Sequence, residues 1–178
     1  EAGPPPTMRE PDQGTAGGAA VASAEAEILP TEEQTTGGRI TLTREGNQVR
    51  IQGTVTGLTP GEHGFHIHEK GDCSASDASS AGGHFAPQHH PHGSPQDPPE
   101  QHHVGDLGNI TAGNNGEAGV DVTSSLIRLS GPDSVIDKAI IVHGGKDDFE
   151  SQPSGNSGPR VGCGVIRTVD DAQASTTV

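Results

Sequence analysis

The sequence predicts an antiparallel all-β fold, either a sandwich or a barrel, with long functional loops. Among the 178 residues there are 27 Gly and 14 Pro, which favours many turns over a helical bundle. Only 28% of the residues are hydrophobic, with three Phe and no Trp or Tyr, so a core of Val, Ile, Leu and Ala is expected. Short segments alternate apolar with polar residues, which is typical of strands that bury one face.

Strand-like segments follow one another from about residue 20. The first, 21–29, is weak, and the alternation becomes clear in 40–58, where the triplet 45–47 has the composition of a hairpin turn. Later segments of the same kind are 65–67, 120–122, 126–129, 139–142 and 161–169. Regular pattern is scarce between residues 69 and 119, so this long stretch needs something else to order it. It holds many of the histidines, and a metal would supply that order.

One domain is predicted, over residues 20–170. Residues 1–19 are rich in Pro, Gly and acidic side chains, so we expect a disordered tail or spacer there. Residues 171–178 are expected to form a flexible C-terminal tail. No apolar run approaches the roughly 18 residues that a membrane-spanning helix needs, so no transmembrane segment is predicted.

The charge and the cysteines limit the choice of partners and compartments. A net charge of −14 argues against nucleic acid as a partner, since binding it requires clustered Lys and Arg. The charge fits either solubility or adaptation to a salty medium, and composition does not separate the two. The two cysteines, Cys73 and Cys163, are compatible with one disulfide or with two free thiols. A disulfide would favour an oxidising compartment.

The histidines carry the strongest chemical signal, because ten of them occur and most lie close together in sequence. His66 and His68 are two apart on a strand-like segment, so both imidazoles share one face and can reach one ion. His92, His103 and Asp106 lie in a Gly- and Pro-rich loop whose spacing lets it wrap an ion. Three histidines with one aspartate suit zinc, whereas four imidazoles suit Cu(II).

Spacing alone leaves several interpretations of the histidines open. The chain could hold one dedicated metal site or two. The loop histidines could also act as a sponge for nickel or zinc, or be a solvated polar loop. A structural β-domain with a metal-clipped loop is a further alternative, which predicts zinc alone and no redox activity.

Five motifs occur in the order typical of one family: GEHGFHIHEKGDC, AGGHFAP, HHVGDLGN, IIVHGGKDD and GPRVGCGVI. Together they resemble copper,zinc superoxide dismutase, closely over residues 57–168. The resemblance implies an eight-stranded antiparallel Greek-key barrel of Ig-like sandwich architecture, with long metal-binding and electrostatic loops. It also implies conversion of two superoxide ions to oxygen and hydrogen peroxide by alternate reduction and reoxidation of copper.

The resemblance implies two sets of metal ligands. The copper ligands are expected to be His66, His68, His84 and His143. The zinc ligands are expected to be His84, His92, His103 and Asp106. His84 would then bridge copper and zinc as an imidazolate and would have a catalytic role.

The same resemblance implies three further roles. Asp147 matches a carboxylate behind the ligands that ties a copper histidine to a zinc histidine. Arg160 matches the arginine beside the copper, where an always-charged guanidinium is the expected catalytic anchor for the superoxide anion. Cys73 and Cys163 match the family's intrasubunit disulfide.

Four histidines are expected to lie outside the ligand sets. His63 matches a histidine with a structural hydrogen-bonding role. His89, His90 and His102 match no ligand, and we expect them in exposed loop.

Several features bear on substrate guidance and location. An anionic substrate and a net charge of −14 require a local positive field, to which Lys70 and Lys146 could add. Long spans between Cys73 and His84 and between His92 and His103 resemble bacterial members of the family. Together with the N-terminal tail, they lead us to expect a bacterial, extracytoplasmic enzyme, periplasmic or secreted. A homodimer is also expected, although residues 167–168 make the corresponding patch rather polar.

The main alternative from another class is a dismutase-like module for copper delivery or metal storage. Delivery domains of this fold typically lack part of the catalytic set. All seven ligand positions and Arg160 occur in this chain, which favours the enzyme.

Overall fold

The strands of this protein close into one barrel. The computed structural model describes residues 22–88, 90–152 and 155–169. The last strand breaks at Ile166, so nine strand segments form eight barrel strands. The segments are β1 (Ser23–Pro30), β2 (Gly37–Glu45), β3 (Gln48–Thr56), β4 (Gly61–His68), β5 (Asp106–Ala112), β6 (Ala118–Ser124), β7 (Ala139–His143), β8 (Arg160–Val165) and β9 (Arg167–Thr168).

The pairing of the strands is antiparallel and crosses over twice. Hydrogen-bonded neighbours follow the order β2-β3-β6-β5-β4-β7-β8-β1, and β1 also pairs with β2, which closes the barrel. The chain passes from β3 to β4 across β6 and β5, and from β6 to β7 across β5 and β4, as in Greek-key folds. The predicted eight-stranded antiparallel Greek-key barrel is therefore confirmed.

Local predictions agree with the structure in most places. The two-residue turn at Gly46 and Asn47 joins β2 to β3, with Gly46 in the left-handed region at φ 63°. Two predictions were wrong. Strand β5 lies inside the stretch that lacked pattern, because Gly108 and a register shift against β4 interrupt its alternation. Segment 126–129 forms no strand; Ile127 and Leu129 are buried there as part of the β6–β7 connection.

The expected tails, 1–19 and 171–178, and His89 lie outside the described residues. In the part of the chain that the structure covers, no helix has the length and apolar character needed to cross a bilayer.

Strand β4 is buried on both faces, and this double burial positions the site. Phe65 and Ile67 point into the barrel core. His66 and His68 alternate with them and face outward, yet both are at most 1% exposed because the long loops cover that face. The period of 2 that pairs these histidines on one face therefore also directs them away from the apolar core.

The predicted disulfide is present and holds the first long loop against the barrel. Cys73 bonds to Cys163 of β8, with a Cα–Cα distance of 5.8 Å. Around it lies a second apolar cluster, separate from the barrel core, made of Ala78, Ala81, Ala139, Ile141 and Cys163. The loop that contains Ala78 and Ala81 is thus fixed both covalently and by packing, next to the outward face of β4 and β7.

Candidate metal centre

Four histidines converge on the outer face of the barrel. His66 and His68 come from β4 and His143 from the end of β7, the strand that pairs with β4. His84 comes from the loop and reaches the group through an isolated bridge to His68. One ring nitrogen from each of the four lies within 4.8 Å of the others, and all four residues are buried. This first cluster is the set predicted for copper.

Hydrogen bonds on the far side of three rings fix which nitrogen faces the cluster. His68 Nδ1 donates to the carbonyl of Gly82 at 2.8 Å, and His143 Nδ1 donates to the carbonyl of Gly158 at 3.2 Å. His66 Nε2 donates to Asp147 Oδ2 at 2.7 Å. Each neutral ring therefore presents an unprotonated nitrogen to the centre.

The nitrogens that face the centre of the first cluster are buried and make no hydrogen bond within the described residues. They are His66 Nδ1, His68 Nε2, His84 Nε2 and His143 Nε2. Buried polar atoms without a partner are rare and costly. Four of them converging on one point fit a bound cation, which would accept all four lone pairs.

The rings of the first cluster form a distorted square. Neighbouring ring centroids are 4.1, 4.8, 4.9 and 5.6 Å apart. The two diagonals, His66 to His68 and His84 to His143, are longer, at 6.2 and 6.4 Å. Four nitrogen donors in a tetragonal arrangement suit Cu(II) among the common first-row metals.

A second cluster is centred on one oxygen atom of Asp106, the first residue of β5. Asp106 Oδ1 lies 2.9 Å from His84 Nδ1, 2.8 Å from His92 Nδ1 and 3.5 Å from His103 Nδ1. Asp106 Oδ2 is occupied by the backbone N–H groups of Gly93 and His103. One free carboxylate oxygen with three imidazole nitrogens is a typical tetrahedral donor set for zinc.

His84 lies between the two clusters and contributes a different nitrogen to each. Its Nε2 belongs to the first cluster and its Nδ1 to the second. A single imidazole can bind two cations only when both nitrogens are unprotonated. The structure therefore brings together every residue that was predicted as a ligand, in the two predicted groups.

The protonation equilibria of the first cluster and of Asp106 favour metal binding. Burial is the main cause that lowers the pKa of His68 well below its usual value, that of His84 to about 4 and that of His143 to about 3. These rings are neutral at pH 7, which is the form that binds metals. Burial would raise the pKa of Asp106, but hydrogen bonds from three histidines lower it, so the carboxylate is ionised.

Asp147 links the two clusters by bonding the ring nitrogens of His66 and His92 that face away from the cluster centres. Its side chain is fully buried, and it accepts hydrogen bonds at 2.7 Å from His66 Nε2 and from His92 Nε2. Burial alone would lower the pKa of His92, but its bonds to Asp106 and Asp147 raise it to about 9. Gly155, at φ 76°, lies so close to this carboxylate that a Cβ atom would collide with it.

Two side-chain amides behind the clusters were not identified from sequence. Asn109 of β5 accepts from the backbone N–H of Asp147 at 2.7 Å and donates to its carbonyl at 3.1 Å. Gln152 makes the same type of pair with the backbone of His92. No local pattern marks an amide that pairs with backbone far away in sequence, so only the folded chain identifies them.

Arg160 lies at the start of β8, beside the first cluster. Its Nη1 donates to the carbonyl of Ala78 at 2.7 Å and its Nη2 to the carbonyl of Gly82 at 2.6 Å. The guanidinium is half-buried, and its charge helps to lower the pKa of both His68 and His143. The disulfide loop thus holds a permanent positive charge next to the four nitrogens.

The two lysines considered for substrate guidance differ in their surroundings. Lys146 forms an exposed ion pair with Glu62 at 3.2 Å, which offsets its field. Lys70 lies on the exposed loop after β4, where its charge acts on Asp72. Arg160 is therefore the stronger source of local positive potential.

The histidines predicted to lie outside the ligand sets are indeed absent from both clusters where they are described. His63 Nδ1 contacts the carbonyl of His143 at 2.8 Å and its Nε2 that of Thr59 at 2.7 Å, as expected for a structural role. His90 is half-buried. The expectation that His102 is exposed was wrong. It is 5% exposed because its loop lies over strands β5 and β6, where His102 borders a cavity together with Leu107 and Val122. Its Nδ1 donates to the carbonyl of His103.

Similar proteins point to one family. Residues 36–166 match the family model described as copper/zinc superoxide dismutase (SODC). An extracellular superoxide dismutase [Cu-Zn] of Brugia pahangi is 40% identical over 148 residues, which are 78% of this chain and 73% of that protein. The corresponding protein of Caenorhabditis elegans is 41% identical over 160 residues, 86% of this chain and 70% of that protein. The crystal structure of the clock protein EA4 has a TM-score of 0.78 and 40% identity, over 86% of this chain and 99% of that chain.

The expectation of a bacterial type is not supported, since these two named dismutases come from eukaryotes. It relied on the lengths of two loop spans together with the N-terminal tail. Loops change length at little free-energy cost, so such lengths are weak markers of origin. The motifs and the matched region, by contrast, cover the barrel and both clusters. The chain belongs to the copper/zinc superoxide dismutase family.

Proposed function

We propose that the first cluster binds copper, that the second cluster binds zinc, and that superoxide is disproportionated at the first cluster. The observation that carries the proposal is the set of four buried ring nitrogens that find no partner among the described residues, arranged as a distorted square beside Arg160. Copper supplies one-electron redox chemistry when bound, and zinc supplies a fixed charge that does not change oxidation state.

The chain's own residues then have separate tasks. His84 Nε2 faces the first cluster and can hold a proton there whenever this nitrogen is not bound to copper. His84 Nδ1 keeps the ring attached to the second cluster. Arg160 attracts the anion and orients it, because its guanidinium is charged at every relevant pH. Asp147 keeps the rings of His66 and His92 in their tautomers, with the free nitrogens directed at the ions.

The test of the proposal is metal content measured together with dismutase activity on purified protein. We expect one copper and one zinc per chain, and activity that disappears when copper is removed and returns when it is restored. Zinc alone, without activity after copper is supplied, would support the structural alternative instead. Tight copper binding without activity would support the delivery or storage module, which the complete ligand set and Arg160 argue against.

Replacing Arg160 by Ala is expected to lower the second-order rate constant at least about tenfold at low salt, as loss of a local steering charge does. The same change should flatten the dependence of the rate on ionic strength, because less attraction is left to screen. Arg160→Lys should recover part of the rate. The measurement is the rate constant against salt concentration for both variants with their metals bound.

A matched control for this prediction is Arg44→Ala. Arg44 is exposed at the β2–β3 hairpin, so its loss changes the net charge by the same amount without touching the site. It should leave the rate and its salt dependence close to those of the unmodified protein. Equal effects of the two substitutions would contradict a local role for Arg160.

We infer that the protein works outside the cytoplasm, either secreted or in a comparable oxidising compartment. The support comes from the disulfide, which persists in oxidising surroundings, and from the two relatives named as extracellular. A homodimer stays a prediction, for which sedimentation of the purified chain is the direct measurement.

A further inference from the structure

The described residues of the loop between β7 and β8, 144–152 and 155–159, make two kinds of contact with the second cluster, and only one of them involves the predicted residue Asp147. The other is made by Gln152, an exposed residue five positions later. Gln152 Oε1 accepts a hydrogen bond from the backbone N–H of His92 at 2.7 Å, and Gln152 Nε2 donates to the carbonyl of His92 at 2.8 Å. The two residues are 60 positions apart in sequence.

This pairing satisfies both backbone polar groups of one residue with one side chain. A carboxamide offers a donor and an acceptor in the same plane, so it can pair with a residue's N–H and C=O as a neighbouring strand would. His92 belongs to no strand, and its flanking residues are in an irregular loop. The backbone at His92 would otherwise depend on water for these bonds.

His92 is therefore held at three points. Gln152 fixes its backbone, Asp147 accepts from its Nε2, and its Nδ1 faces Asp106 Oδ1. The first two contacts come from the same short segment, residues 147–152, which therefore holds both the ring and the main chain of His92. Asn109 in turn fixes the backbone of Asp147 to β5, the strand that begins at Asp106.

We propose that Gln152 is a positioning residue of the zinc site, which slows release of zinc by fixing the backbone of His92. The inference rests on the proposed assignment of zinc to the second cluster. A ligand whose main chain is fixed returns to the same place after each fluctuation, whereas a ligand tied only through its ring can swing away with the loop. Partners behind metal ligands typically change metal affinity by about 10–100-fold.

The experiment measures the rate of zinc release to a chromogenic chelator from the fully metal-loaded protein. Gln152→Ala is expected to release zinc about tenfold faster, which corresponds to the loss of two ordinary hydrogen bonds. Gln152→Glu keeps an acceptor for the N–H of His92. It replaces the NH₂ donor with a carboxylate oxygen, which faces the carbonyl of His92 and cannot donate to it, so this variant should also release zinc faster than the unmodified protein. Copper release should change less than zinc release in both variants.

Gln96→Ala is the matched control. Gln96 is exposed in the same loop as His92, and its side chain makes no hydrogen bond to the described residues, so zinc release should not change. A second readout is the visible spectrum of Co(II) bound in place of zinc, which responds to ligand geometry. We expect Gln152→Ala to shift that spectrum at a temperature far below unfolding, which a general loss of stability would not do.

The outcomes separate this inference from the proposed function. Unmodified protein that binds no stoichiometric zinc would overturn the zinc assignment and the inference with it. Stoichiometric zinc, with an unchanged release rate and Co(II) spectrum in Gln152→Ala, would overturn the inference alone. Faster release in Gln152→Ala and Gln152→Glu, with Gln96→Ala unchanged, is the expected result.

Discussion

Replacing Asp147 by Asn will lower the affinity for metal at one of the two clusters by about 10–100-fold and reduce dismutase activity with it. Asp147 is fully buried and accepts one ring N–H from His66 and one from His92. An asparagine can accept only one of these, and its NH₂ group would face the other ring nitrogen. That ring must then move its proton to the nitrogen that faces the metal, which removes a lone pair from one of the two sites.

The measurement for this prediction is zinc and copper content after dialysis against a mild chelator, together with activity. Asp148→Asn is the control, since Asp148 is the exposed neighbour and, among the residues that the structure describes, accepts only from Glu150 and Ser151 of its own turn. It removes the same charge from the same loop. Loss of the same metal from both variants alike would show that the loop charge matters rather than the pairing of two rings by one carboxylate.

Sequence patterns were most informative where chemistry and short-range geometry coincide. His66 and His68 could be assigned to one face because strand geometry fixes the direction of side chains two apart. Their outward direction follows from Phe65 and Ile67, which belong in the core. The remaining ligands came from the motifs, since no period links His84 on a loop to His143 on β7.

The contacts that could not be predicted join segments far apart in sequence through backbone groups. Gly82 and Gly158 act through their carbonyls, which any residue type would supply, so their identity carries no signal for this role. Asn109 and Gln152 act through ordinary amides. His102 looked like a loop residue because its burial depends on how the loop folds back against the barrel. Burial of a loop residue depends on the whole fold, not on its neighbours in sequence.

The disulfide has the second large expected effect, because it closes a long loop and also supports Arg160. The double variant Cys73→Ala and Cys163→Ala removes a cross-link between residues 90 positions apart. In the chain-entropy account, a loop of that length contributes about 4 to 5 kcal/mol to the free energy of unfolding. We expect the unfolding temperature to fall by about 10–20 °C for a domain of this size, measured by calorimetry on metal-loaded protein.

Activity should change for a separate reason, at temperatures where the variant is still folded. The loop that Cys73 anchors supplies the carbonyls of Ala78 and Gly82 to which the Arg160 guanidinium donates. Ala78 also packs in the cluster around Cys163, so the apolar contacts will hold the loop only in part once the covalent link is lost. The guanidinium should then become mobile, and the rate constant should fall and depend less on salt.

The two effects of the disulfide can be told apart by combining substitutions. If the loop acts on the rate through Arg160, adding Arg160→Ala to the double cysteine variant should lower the rate little further, because both changes remove the same interaction. The losses in unfolding free energy should instead come almost wholly from the cysteines. Rate losses that multiply independently would mean that the loop affects catalysis by another route, such as the carbonyl of Gly82 that orients His68.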